Sequence, residues 1–112
     1  MNTKAKGNKL EWAVMDALRV AGFDHVQRGS ASKGVDVIGG RFSDNTKWFI
    51  SCKWGGYIKP TERADFIKTA EFWNAIPCGT KRNKEKYARF TRWQIISLLD
   101  DHKIMLEFVI EK

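Results

Sequence analysis

Two charged residues sit inside apolar runs. Asp36 interrupts Val35-Asp36-Val37-Ile38, and Lys53 ends the triplet Ser51-Cys52-Lys53 within the run Trp48–Trp54. A buried charge costs several kcal/mol unless it is paired or bound to a metal, so each needs a reason. Side chains alternate along a strand. If both runs are strands, Asp36 and Ile38 share one face of the first, with Val35 and Val37 on the other. On the second, Phe49, Ser51 and Lys53 face away from Trp48, Ile50, Cys52 and Trp54. Neighbouring strands then bring a carboxylate and an ammonium into one crevice. Phosphodiester hydrolysis uses such a pair. A divalent cation held by hard oxygens polarises the phosphate and acidifies the attacking water, while a lysine stabilises the developing charge. Glu11, Asp36 and the Cys52 backbone carbonyl are candidate metal ligands, and Lys53 is the candidate catalytic cation. A plain Asp36–Lys53 structural ion pair is the alternative.

The elements that must position these residues are legible as patterns. Leu10, Val14, Ala17, Leu18 and Ala21 recur at helical spacing, with Asn8 as N-cap and Gly22 as C-cap. Glu11 lies at the edge of this stripe, where an acid near a helix start also favours the dipole. Residues 1–7 read as a flexible basic lead-in. Phe23–Arg28, Val35–Ile38 and Lys47–Trp54 read as three strands, separated by the polar turn 29–34 and by a Gly39-Gly40 stop with a loop around Asp44. After Gly55-Gly56 and Pro60, Thr61 caps a second helix with Ala64, Ile67, Ala70 and Trp73 or Asn74 along one side. A fourth strand starts at Ile76-Pro77, a basic loop spans Lys81–Arg89, and Phe90–Leu98 and Ile104–Ile110 form two more strands. The expected fold is α/β: an αβββαβ core with a central mixed sheet flanked by helices.

Composition bounds the rest. The 112 residues, 43% apolar and 12% aromatic, suit one globular domain over 1–112. No apolar run spans a bilayer and no signal peptide is evident, so a cytoplasmic location is expected, or the host-cell cytoplasm or nucleoid for a viral chain. Cys52, Cys78, His25 and His102 lack zinc-ligand spacing, and both cysteines are read as reduced, strand-buried thiols. The formal charge of +7 and a pI near 9.6 point to a polyanionic partner.

Glu11 in the first helix, the segment Arg28-Gly29-Ser30-Ala31-Ser32-Lys33-Gly34-Val35-Asp36-Val37-Ile38 and the Cys52-Lys53 strand together resemble the PD-(D/E)xK nuclease superfamily. The nearest likeness is to its archaeal-type Holliday junction resolvases of archaea and viruses. It spans about Gly7 to Trp54 and resumes weakly at Ile76-Pro77 and Phe90–Ile96. The resemblance implies a restriction-endonuclease-like core and a Mg2+-dependent endonuclease, with Mn2+ as a substitute. It also implies metal binding by Glu11 and Asp36, catalysis by Lys53, a contact from Ser32 near the scissile phosphate, and DNA-backbone contacts from Arg28, Ser30 and Lys33. A homodimer nicking four-way DNA junctions is implied too. The departure is Ser51, where most members carry Glu. A neutral hydroxyl is a poor ligand for a hard divalent cation, so Glu62 or Asp65, at the start of the following helix, is a candidate replacement.

Lys6, Lys9, Lys81 and Arg82 extend the basic surface, and the loop carrying Tyr57 and Lys59 follows the catalytic strand. All are candidates for sequence-blind, salt-sensitive phosphate contacts. The expected function is a structure-selective DNA endonuclease, most simply a Holliday junction resolvase. The alternatives are another nuclease of this fold cutting flaps, mismatches or a duplex sequence, or a non-catalytic DNA-binding module.

Overall fold

Leu10, Val14, Met15 and Leu18 are the buried stripe of the first helix, α1 (Thr3–Val20). The computed structural model describes residues 3–29, 34–55, 58–83, 89–99 and 102–111, with side chains from Asn8 onward. α1 begins at Thr3, so the stretch before Asn8 is helical rather than a loose lead-in. No proline interrupts it, and Gly7 costs a helix only about 1 kcal/mol. Asn8 is therefore inside the helix and not its cap. Its side-chain oxygen accepts a bond from Arg28 Nη2 at 3.2 Å. The chain leaves α1 through Gly22 at φ +95°, as the pattern predicts.

The strands are β1 (His25–Arg28), β2 (Val37–Arg41), β3 (Thr46–Ser51), β4 (Ile76–Asn83), β5 (Phe90–Ser97) and β6 (Ile104–Glu111), with α2 (Pro60–Phe72) between β3 and β4. They lie in chain order in one six-stranded sheet. Every neighbour pair is antiparallel except β3–β4. That parallel pair needs a crossover, and α2 supplies it. The mixed sheet between two helices is the expected architecture.

Alternation sorts β3 between two cores. Trp48 and Ile50 join α1, Val37, Cys78 and Trp93 in one cluster. Phe49 joins Phe66, Ala70 and Leu98 under α2 in the other. Each fully buried large apolar side chain contributes roughly 1.5–3 kcal/mol, so the two helices are held by opposite faces of the same strand.

Several boundaries differ from the sequence reading. β2 runs through Gly39 and Gly40 instead of stopping there. The space beside Gly39 is already filled: a Cβ would lie 2.9 Å from Leu18 Cδ1. Val35 and Asp36 precede β2, so the expected alternation slips and Val35 joins the α2 cluster rather than sharing a face with Val37. β3 ends at Ser51, which leaves Lys53 just past the strand. Lys59 and Pro60, not Thr61, start α2, with Pro60 in the first turn where its missing N–H costs nothing. Phe66 and Ala70 form the buried side of α2, while Ala64 is exposed. β4 extends to Asn83, so Lys81 and Arg82 belong to a strand rather than a loop. Ala21 is exposed beyond the end of α1. No described helix is long and apolar enough to cross a membrane.

One glycine ties the fold to the site. Gly29 N donates to Asp36 O at 2.9 Å. A Cβ on Gly29 would run into the Val35 carbonyl, whose carbon lies at 2.7 Å. Backbone cannot yield as a side chain does, so Gly29→Ala is expected to destabilise the protein by roughly 1–3 kcal/mol. A lower urea midpoint at unchanged m-value checks this. An unchanged midpoint would show that the approach is looser than described.

Candidate active site

β3 delivers its last residues between two polar clamps. On one side, Asp36 N donates to Ile50 O at 3.0 Å, and Cys52 N donates to Asp36 Oδ2 at 2.7 Å. On the other, Lys53 N donates to Thr80 Oγ1 at 3.1 Å, and that hydroxyl donates back to Lys53 O at 3.2 Å. The segment after Ser51 is therefore tied to the β2 side by a carboxylate and to β4 by a hydroxyl. Ser51 itself is only 2% exposed.

Glu11 reaches the same spot from α1. Its side chain is 16% exposed and pairs with Arg28 Nη2 at 3.3 Å. Asp36 feels it. Burial pushes the Asp36 carboxyl above its ordinary range, and Glu11 adds to the rise, while the Cys52 amide bond and the charges of Lys53 and Arg28 oppose it. The Cys52 thiol is likewise pushed up, by burial first and then by Asp36 and Glu11. Glu11, Asp36, Cys52, Arg28 and Lys53 thus share one electrostatic neighbourhood. Two acids crowded in a partly dry place favour a bound cation.

Glu62 and Asp65 stand on the α2 side. Lys53 Nζ lies 3.5 Å from Glu62 Oε2, with both side chains about half exposed, a pair worth at most about 1 kcal/mol. Both acids line, with Ser51, Lys53, Gly34, Ile58 and Phe66, a cavity of about 250 Å3. Among the described residues, no three His, Cys, Asp or Glu side chains converge closely enough to hold a metal ion by themselves. An ion here needs backbone oxygen or water in addition, which Mg2+ accepts readily.

The sequence matches no known family and no curated protein. The structure does find a counterpart. It superposes on Hjc of Archaeoglobus fulgidus, a Holliday junction resolvase from an archaeal hyperthermophile, with a TM-score of 0.63 and 19% identity, over 96% of this chain and 84% of that one. The fold is restriction-endonuclease-like. The resolvase likeness seen in the sequence motifs therefore has a structural neighbour of that kind.

Within this restriction-endonuclease-like sheet, the cationic candidates gather at one end. Arg28 closes β1 opposite Val37, the first residue of β2. Gly79 pairs with Ser51 at the end of β3, so Lys81 and Arg82 run beyond it beside Lys53 and Trp54. Arg82 lies 6.0 Å from the ring centres of both Trp54 and Trp93. Lys59 is the residue before α2 and exposed. Lys9 turns away from Glu11 around α1, and its Nζ donates to Glu111 O at 3.1 Å. Ser30, Ser32, Lys33 and Tyr57 lie outside the described residues, as does the side chain of Lys6.

Sequence reasoning missed Thr80 and the role of Asn8. The signal for Thr80 was a polar residue closing the apolar start of β4, the same kind of signal that singled out Asp36. Asn8 was visible but misassigned, because its partner Arg28 is twenty residues away.

The raised Asp36 carboxyl has a stability consequence in metal-free protein. The folded state holds this proton more tightly than the unfolded chain does. Ionisation therefore costs stability, a cost absent below about pH 3.8 and fully present once pH exceeds the raised folded value. Asp36→Asn keeps an acceptor for the Cys52 amide and removes the charge. It is expected to stabilise the chelated protein by on the order of 1 kcal/mol at neutral pH, with the gain shrinking toward pH 4. Urea unfolding with EDTA across pH tests this. A variant less stable than wild type at pH 7 would overturn it.

Proposed function

We propose that this chain is a metal-dependent, structure-selective DNA endonuclease, a Holliday junction resolvase that acts as a homodimer. The observation that carries the reading is the convergence of Glu11, Asp36 and Lys53 at the end of β3. The fold shared with an archaeal resolvase and the basic end of the sheet support it. The exposed pair Phe72 and Trp73, edge to face with ring centres 5.3 Å apart, supports a protein partner.

Glu11, Asp36 and the Cys52 carbonyl, with water, are the proposed holders of Mg2+ or Mn2+. When bound, such an ion supplies polarisation of the phosphate and a more acidic water. Asp36 is oriented by the Cys52 amide, which leaves its other oxygen for the ion. Arg28 holds Glu11 in place and screens it from Asp36. Lys53, fixed through its backbone by Thr80, would turn its ammonium from Glu62 toward the charge that builds on the phosphate oxygens. Lys59, Lys81 and Arg82 bind backbone phosphates on either side, in a salt-sensitive way.

Ser51 is the weak place in this set, and Glu62 is its proposed replacement. It already stands beside Lys53 and lines the same cavity as Ser51; Asp65 is the second acid there. The non-catalytic reading draws on the same serine, since a site short of one carboxylate binds a cation less well.

A labelled four-way junction with Mg2+ or Mn2+ separates these readings. Paired symmetric nicks are expected. Cutting of linear duplex alone would point to another nuclease of this fold, and tight binding without cleavage to the non-catalytic module. Asp36→Ala is expected to lower cleavage by at least about a thousandfold while junction binding persists; retained cleavage would refute the site. Glu62→Ala is expected to cost about 10- to 100-fold, and adding Ser51→Glu is expected to recover much of it. Failure of that double variant, with Asp65→Ala inactive instead, would move the role to Asp65.

A further inference from the structure

A second cavity of about 480 Å3 opens from Ser51, Lys53 and Ile58, the same residues that line the smaller acidic one. The two therefore meet at Ser51 and Lys53 but differ in chemistry. The smaller carries Glu62 and Asp65. Among the described residues, the larger has no acid: its charged or titratable lining is Lys53, Arg63 and His102. Its walls are Ile58 and Pro60, with Ile67, Ile96 and Leu98 from α2 and β5 onward. Its size falls within the roughly 300–1,000 Å3 of small-ligand sites, which likewise pair apolar walls with a few placed polar groups.

Arg63 is anchored in that lining. Its Nη2 donates to Leu98 O at 2.6 Å, while its Nε has no partner among the described residues. Thr80 and Ser51 add hydroxyls to the lining.

We infer that this cavity receives one unstacked nucleotide of the bound DNA, the nucleotide attached to the phosphate at Lys53. The inference rests on the nuclease reading and extends it to how branched DNA is chosen. The cavity shares Lys53 with the reaction centre, so a ligand whose phosphate sits on Lys53 carries its base to the cavity mouth. Apolar walls take the faces of a base, and the cationic side chains of Lys53 and Arg63 offer donors to its edge. The two charged side chains of the lining, Lys53 and Arg63, are both cations, which complements a nucleotide and disfavours an acidic side chain. An unpaired or weakly stacked nucleotide at a branch point enters at little cost, whereas one in regular duplex must first be unpaired. Preference for branched DNA then needs no sequence reading.

The test uses full-length protein in EDTA, so that binding is seen without cleavage. Four-way junctions carry 2-aminopurine at single positions flanking the branch, and a remote dye reports binding by anisotropy. A severalfold rise in 2-aminopurine fluorescence on binding is expected at one position and not in matched duplex. Ala64 is exposed and lines the cavity, so Ala64→Trp fills it without disturbing the core. That variant is expected to lose the rise and about tenfold of the junction-over-duplex preference, with duplex affinity unchanged. A binding junction without a rise at any position overturns the inference while sparing the nuclease reading, as does Ala64→Trp with its preference intact. Displacement by free 2-aminopurine deoxynucleotide with no rise in DNA overturns it in favour of a small-molecule site. No DNA binding at all sinks both.

Discussion

The hydrogen bond from the Cys52 amide to Asp36 Oδ2, at 2.7 Å, is the contact on which the candidate site depends. It joins the approach to β2 with the exit from β3 at the point where regular pairing stops. An exposed carboxylate would accept such a bond from water and gain little. Here the carboxylate is partly withdrawn from solvent, so the bond offsets part of the cost of the charge and fixes one oxygen. Asp36 is thereby held in a place it would otherwise leave. Gly29 makes that placement possible by letting the β1 exit pass close under the Val35 carbonyl.

Around this contact the charges are arranged in opposition. Glu11 raises the cost of ionising Asp36, while Lys53 and Arg28 lower it. Neither effect cancels the other, because burial is the largest contribution and acts on the charge itself. The metal-free protein therefore gives up stability at this spot. Lys53 is loosely paired with Glu62, and both side chains remain about half exposed. Ser51 contributes no charge, and two acids on α2 stand near it instead. The basic end of the sheet collects Arg28, Lys81 and Arg82 because β1, β3 and β4 all finish there, an arrangement of topology rather than of any one segment.

Much of this was legible in the chain. Charges inside apolar runs singled out Asp36 and Lys53, and a helical stripe with an acid at its edge singled out Glu11. Strand alternation correctly assigned Trp48, Ile50, Phe49 and Ser51 to their faces. Where the reading failed, a long-range contact had overruled a local pattern. Gly39 and Gly40 looked like a stop but are strand residues, because Leu18 and Phe23 occupy the space a side chain would need beside Gly39. Asn8 looked like a cap but lies within a helix and meets Arg28. Lys81 and Arg82 looked like a loop but pair with Gln94 and Trp93 across β4 and β5.

Local chemistry therefore determined which residues could act: their types, their periodicity and their spacing are properties of the chain. It also determined that Ser51 brings a hydroxyl and no charge to the end of β3. What only the tertiary structure decided is which groups meet. The parallel register of β3 and β4 sets Thr80 against Lys53. The crossover helix places Glu62 beside Lys53, and α1 leans Glu11 toward Asp36. These meetings depend on the packing of two cores on opposite faces of one sheet. Burial is a sum over distant contacts, and no segment of the sequence carries that sum by itself.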